Sequence, residues 1–108
     1  LFRSLCRFDS PVAETKGEGE TVELVLKQPT KIDHVVLMED IRKGERVRGY
    51  EIEGLVPGNT WQKLCEGVSI GHKRIEKFDR TEVAKIRFRA TKSAATPSIR
   101  RLAVFDVG

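Results

Sequence analysis

From Val83 to Ala90 the chain alternates strictly, with Ala84, Ile86, Phe88 and Ala90 on one side and Lys85, Arg87 and Arg89 on the other. A side-chain period of two belongs to a β-strand with one face in a core and one in water; a helix would scatter these residues around its axis. Between Glu20 and Lys27 the pattern recurs, with Val22, Leu24 and Leu26 alternating with more polar neighbours. No segment carries a sustained helical period, so strands are the expected material of the whole fold.

The remaining strands are set off by turn residues. Gln28-Pro29-Thr30 is expected to end the first strand. Ile32 to Met38 is more continuously apolar, as suits a central strand covered on both faces, and Glu39-Asp40 marks its exit to solvent. A turn through Arg42-Lys43-Gly44 leads to a strand beginning at Val47, in which Gly49 predicts a bulge or the close approach of another backbone. Pro57-Gly58-Asn59 ends it, Trp61 and Leu64 begin the next, and Val68, Ile70 and Ile75 form another interrupted by Gly67 and Gly71. After the loop Lys92 to Ser98, which contains Pro97, a last strand from Ile99 to Val107 closes the domain. About seven antiparallel strands without a helix predict an all-β fold, an antiparallel β-sandwich, with a partly open barrel as the structural alternative.

Bulk properties narrow the function. A chain of 108 residues, 39% hydrophobic, can build one modest core and no second one. No run approaches the roughly eighteen apolar residues of a membrane-spanning helix. The opening LFRSLCRFDSP has neither an apolar signal core nor an initiator Met, so the chain reads as a piece of something longer. Lys and Arg outnumber Asp and Glu by 20 to 16, but the two signs interleave along the sequence, which describes a solvated surface more than a nucleic-acid groove. Neither nucleic acid nor membrane is an expected partner. Cys6 and Cys65 match no metal spacing; a bridge requires the fold to bring them together, and otherwise Cys65 is a small half-buried strand residue.

Catalytic arrangements are not evident. Glycoside hydrolysis needs two carboxyl groups about 5 Å apart, or about 6.5–9.5 Å apart for inversion, around one pocket. Glu39 and Asp40 are adjacent in an extended segment and point to opposite faces, and other acids fall mainly on turns or charged faces. Cys65 with His34 or His72 lacks any local motif, zinc lacks ligands, and no glycine-rich loop precedes a helix. No catalytic residue, metal or cofactor is expected.

Several segments, in order, resemble one family of sandwich domains. Glu39-Asp40-Ile41-Arg42-Lys43-Gly44-Glu45-Arg46-Val47 fits a strand ending in an acidic residue before a Gly-polar-Arg-Val turn, and Tyr50-Glu51-Ile52 fits the strand that follows. Trp61-Gln62-Lys63-Leu64-Cys65-Glu66-Gly67, Ser69-Ile70-Gly71-His72-Lys73-Arg74-Ile75, Ile86-Arg87-Phe88-Arg89 and Ala94-Ala95-Thr96-Pro97-Ser98-Ile99 continue the series. The pattern resembles the discoidin domain, or coagulation factor V/VIII type C domain, of the galactose-binding-like jelly-roll superfamily, in the variety found C-terminal to the catalytic domain of bacterial α-L-fucosidases. It spans about Thr21 to Phe105. Two positions depart from the family, which usually has Gln at Glu45 and Tyr at His72, so hydrogen bonding at those turns is expected to differ. The early strand with its acidic loop has no counterpart before Glu20, and calcium is accordingly not expected.

The resemblance implies a non-catalytic accessory module of a secreted bacterial enzyme, periplasmic or extracellular, with residues 20–108 forming the sandwich and 1–19 an N-terminal extension or partial first strand. Its implied partners are a fucose- or galactose-containing glycan and the parent catalytic domain. Sugar recognition needs an aromatic platform and a few fixed polar groups. The candidates are Glu39, Arg46, Trp61, His72 and Arg74, near the two glycine turns, although burial of Trp61 against the opposing sheet and a Glu39 to Arg46 pair closing the hairpin are the plainer readings. The alternative role is structural: a domain that packs on the catalytic domain and stabilises it without a sugar site.

Overall fold

The computed structural model describes residues 11–107. Six antiparallel strands form one continuous sheet: β1 (Ala13–Glu18), β2 (Thr21–Glu39), β3 (Val47–Val56), β4 (Thr60–Gly67), β5 (Arg74–Ser93) and β6 (Ser98–Phe105), in the order β1-β6-β2-β5-β3-β4. Two strands are long enough to belong to two layers. The first part of β2, Thr21 to Val25, pairs with Arg89 to Lys85 of β5, while its last part, His34 to Leu37, pairs with Lys77 to Arg74. β3 and β4 extend the first of these pairings, and β6 and β1 extend the second. The sheet therefore folds over on itself as an antiparallel β-sandwich, with β2 and β5 crossing from one layer to the other.

The crossing explains one departure from the sequence expectation. Pro29 does not end a strand; β2 runs through it, and the β2-β5 register shifts between Val25 and Thr30. Proline lacks a backbone N–H, so an irregularity where the ladder is already broken accommodates it and lets the strand bend between layers. Val68 to Ile75 is the other departure. β4 stops at Gly67, the chain turns through Gly71 at φ 65°, and β5 starts only at Arg74. Six strands replace the expected seven because one breaker is absorbed, one interrupted segment is a turn, and β1 adds a strand within the 1–19 stretch, which the sequence left as an extension or partial first strand.

Both layers send alternate residues inward. Val22, Leu24, Ile52, Ile86 and Phe88 come from one and Val35, Leu37, Leu102 and Val104 from the other, all buried in one cluster. The Ala84 to Ala90 alternation holds at its centre, where Ile86 and Phe88 are fully buried while Arg87 and Arg89 carry ion pairs on the outer face. At roughly 25 cal/mol per Å² of apolar surface, this core is the principal favourable term of folding. Gly54 lies in it for a steric reason: a Cβ there would come within 2.5 Å of Val83 Cγ1. Val36, Ala103 and Phe105 form a second, smaller buried cluster with Met38 and Val107 packed against it.

Trp61 does not join the core. It is half-buried on β4, and the Arg87 guanidinium lies 4.1 Å from its ring centroid. Cys65, partly buried, packs against the main core. Burial, with the Glu76 carboxylate adding to it, pushes its thiol up to about 12, so it is not a poised nucleophile. Cys6, and with it the question of a bridge, lies outside the described residues.

Candidate functional site

Three loops meet at one end of the sandwich, and Glu39 holds them. As the last residue of β2 it continues the inward alternation of Val35 and Leu37, which places its carboxylate inside, 1% exposed. Its Oε2 accepts from the backbone N–H of Arg46 at 2.7 Å and of Val47 at 3.0 Å, capping the start of β3. Its own N–H donates to the Gly71 carbonyl at 3.3 Å, and the Asp40 N–H donates to the Ser98 carbonyl at 2.9 Å. The Arg46 guanidinium donates to the Thr96 carbonyl at 2.8 Å, and the Ala94 N–H donates to the Arg46 carbonyl at 2.7 Å. The 40–46, 68–73 and 94–97 loops thus share one polar junction.

Local sequence shapes the first loop. Asp40 caps a single 3-10 turn, Ile41–Lys43, by accepting from the Arg42 N–H, and its carboxylate also takes two guanidinium hydrogen bonds from Arg42 at 3.0 Å. That pairing raises the Arg42 pKa above its ordinary value, first through the hydrogen bond and then through charge. Gly44 closes the turn at φ 86°, a conformation that favours glycine. Glu45 reaches the neighbouring loop: a Cβ on Gly71 would lie 3.3 Å from its Oε1.

A cavity of about 300 Å³ opens at this junction, lined by Glu39, Asp40, Ile41, Arg42, His72 and Arg100. That volume is at the small end of ligand sites. Behind this wall Glu39 Oε1 is buried and has no hydrogen-bond partner among the described residues. A buried acceptor without a partner costs free energy, and in a native site it marks a place where a donor is missing.

The five residues singled out in the sequence are spread over the fold. Glu39 and His72 line the cavity together. Arg46 stands beside them, contributing its N–H to Glu39 while its guanidinium goes to Thr96. Arg74 belongs to another network, donating to Glu76 Oε2 at 3.3 Å, and the same oxygen accepts from the Tyr50 hydroxyl at 2.8 Å. Burial first, and then that hydrogen bond, pushes the Tyr50 pKa well above the phenolic range. Trp61 is further off, on the outer face of the first layer, where Arg87 covers its ring and donates to Glu53 at 2.9 Å. Beside that pair, Arg89 bonds Glu51.

Asp40, Ile41, Arg42 and Arg100 were not singled out in the sequence. The first three stand next to Glu39, so proximity could have found them. Arg100 could not be found so, because it reaches the site only through the pairing of β6 with β2, in which Glu39 faces Ile99. Among the described residues no group of three or more His, Cys, Asp or Glu side chains could hold a metal ion. No helix of the described residues is long and apolar enough to cross a membrane.

No family model matches the chain. It is 32% identical over 80 residues to a protein of Oryza sativa subsp. japonica assigned as alpha-L-fucosidase 1, an alignment covering 74% of this chain and 15% of that one. Among solved structures, a protein of Bacteroides thetaiotaomicron VPI-5482 assigned as an alpha-L-fucosidase superposes with a TM-score of 0.91 at 38% identity, over 94% of this chain and 23% of that one. The CpGH89CBM32-5 module of Clostridium perfringens, solved with GalNAc-β-1,3-galactose, superposes with a TM-score of 0.69 at 22% identity, over 79% of this chain and 64% of that one, a likeness of fold. The chain thus resembles a part of α-L-fucosidases, which are glycoside hydrolases, and spans less than a quarter of the length of either fucosidase relative.

Proposed function

We propose that this chain is a non-catalytic accessory module, of discoidin type, in a secreted α-L-fucosidase, and that it binds glycan weakly at the Glu39 end of the sandwich. The observation that carries the reading is the pairing of a close likeness to a minor part of fucosidase chains with a small polar cavity where three loops converge. Fixed acceptors and donors in a concave site are what sugar hydroxyls require, and a module held beside a catalytic domain raises the local concentration of substrate. Affinity is expected to be low. The ring of Trp61, the aromatic best suited to carry a pyranose, already bears the Arg87 guanidinium on one face. Its parent would act in the extracellular space or periplasm.

The second reading is that the sandwich packs on and stabilises the catalytic domain without a sugar site. The exposed apolar side chains of Val25 and Val68, 63% and 74% exposed, are surface available to such a contact and favour it. NMR titration of the isotope-labelled chain with fucose- and galactose-containing oligosaccharides separates the two. Saturable amide shifts support glycan binding; a spectrum unchanged at about 10 mM sugar, an affinity weaker than about −3 kcal/mol, overturns it. Loss of thermal stability of the parent enzyme when residues 20–108 are deleted supports the structural role.

A further inference from the structure

We infer that the open edge of the first layer pairs with the same edge of a second copy of this chain, the start of β2 running antiparallel to its counterpart about a two-fold axis at Val25. The inference does not depend on the glycan reading.

The edge is open because β2 changes neighbours along its length. Its pairing with β6 begins only at His34, so Thr21 to Val25 has β5 on one side and, among the described residues, no strand on the other. The ladder also fixes which backbone groups face that open side. The Ala90 N–H donates to the Glu20 carbonyl, and in an antiparallel ladder every second residue bonds the same neighbour, so Val22 and Leu24 turn their N–H and C=O groups to β5. Those of Glu23 and Val25 point the other way, and Lys27 follows them as the alternation of exposed and buried residues continues. A groove of about 630 Å³ runs along this edge, with Val12, Ala13 and Glu14 on one side and Leu24 to Gln28 on the other. It gives an added strand room to lie.

Side chains then select the strand. Open edges are commonly blunted by a charge at their centre, whereas this one carries Val25, a β-branched residue 63% exposed, with Glu23 before it and Lys27 after it. Among the described residues neither Glu23 nor Lys27 has a side-chain hydrogen bond or ion pair. An antiparallel pair centred on Glu23 would set two like charges opposite each other, and one centred on Leu24 would set Glu23 against Val25. Centred on Val25, the pair sets Val25 against itself and Glu23 against Lys27 on both sides of the axis. Each of these residues has its backbone groups on the open side, so each pair can exchange two N–H to C=O bonds. On the inner side Leu24 meets Leu26 of the copy, and both belong to the main core, so the two cores join through the groove. The edge is thus complementary to itself in backbone, charge and apolar surface, which is what a two-fold contact requires.

The test is sedimentation velocity of the 108-residue chain at concentrations from about 10 μM to about 1 mM. A reversible monomer–dimer equilibrium is expected, with Kd on the order of 100 μM, as suits a contact one strand wide. Amide shifts that change with concentration should fall on Thr21 to Lys27 and on Val12 to Glu14. Val25→Lys places two ammonium groups against each other on the axis and should weaken the dimer at least about tenfold, with Tm at low concentration unchanged because the residue is exposed. Glu23→Lys should weaken it about fivefold, and the exchange Glu23→Lys with Lys27→Glu should restore it to within about twofold. A general loss of folding or solubility would not be restored in that way. A chain that stays monomeric at about 1 mM overturns the proposal. So does a dimer whose concentration-dependent shifts lie away from this edge, or one that Val25→Lys leaves intact or the charge exchange fails to restore.

Discussion

Two regions of this molecule are built from the same residue types and come to opposite ends. On the outer face of the first layer, Trp61, Arg87, Glu53, Arg89 and Glu51 satisfy one another: the guanidinium of Arg87 lies over the indole, its Nε donates to Glu53, and Arg89 joins Glu51. At the Glu39 end, a carboxylate oxygen, an imidazole and an arginine surround a cavity and leave an acceptor without a donor. Composition does not tell them apart. Flat antiparallel strands put oppositely charged cross-strand partners in register, Glu53 with Arg87 and Glu51 with Arg89, so the groups meet each other. A junction of loops at the end of a sandwich has no such register, and a polar group there can be held in place by its backbone contacts with one atom left over.

The comparison is most directly broken at Glu39. Glu39→Ala strips the partner from two N–H groups at the start of β3, and the expected loss is roughly 2–4 kcal/mol in denaturant unfolding together with all sugar-induced shifts. A variant with wild-type stability would mean that the junction is not held by this carboxylate. Next in size is Gly67→Ala, on the side of the molecule where contacts are already complete. A Cβ there would stand 2.5 Å from the Tyr50 hydroxyl and 2.6 Å from its Cζ, so the ring that donates to Glu76 must move. The expected cost is about 1–3 kcal/mol with sugar binding retained, read by thermal unfolding and the same titration.

Trp61→Ala sharpens the contrast from the other direction. It removes a half-buried cation–π contact worth about 0.5–2 kcal/mol, and sugar affinity should not change. A loss of affinity in a folded Trp61→Ala chain would move the binding surface to the strand face. The last effect is alkaline and vanishes near neutral pH. In the folded chain the Cys65 thiol is pushed up to about 12 by burial and by Glu76, from a reference value of 9.0. Below about pH 9 both folded and unfolded chains keep the proton and stability is intact. Between about 9 and 12 only the unfolded chain loses it, so stability falls as pH rises. Cys65→Ser should flatten the decline in Tm over that window, and an equally steep decline in the variant would assign the effect elsewhere.

What was legible in the sequence follows from how far each interaction reaches. The period of two in Val22 to Leu26 and in Ala84 to Ala90, and the turn at Pro57-Gly58-Asn59, depend on neighbours within a few residues, and they sufficed for an all-β antiparallel sandwich. Pro29 misled because its local preference is to stop a strand, while the fold needs an irregularity just there to carry β2 from one layer to the other. Trp61 misled because a large aromatic is usually buried, and only the alignment of β3, β4 and β5 brings Arg87 over it instead.

For the candidate site, the sequence by itself determined that Glu39 ends a strand and that Asp40 to Gly44 turns, whereas Val68 to Ile75, expected as an interrupted strand, turns through Gly71 before β5 begins at Arg74. The tertiary structure decided which of these meet. The Gly71 carbonyl, the Ser98 carbonyl and Arg100 reach the Glu39 junction only because β6 and the start of β5 pair with the same end of β2. It also separated Arg74 and Trp61 from Glu39 and left Oε1 buried without a partner. Strand formation is a matter of local stereochemistry and polarity, whereas the satisfaction of a buried polar atom depends on every chain segment packed around it.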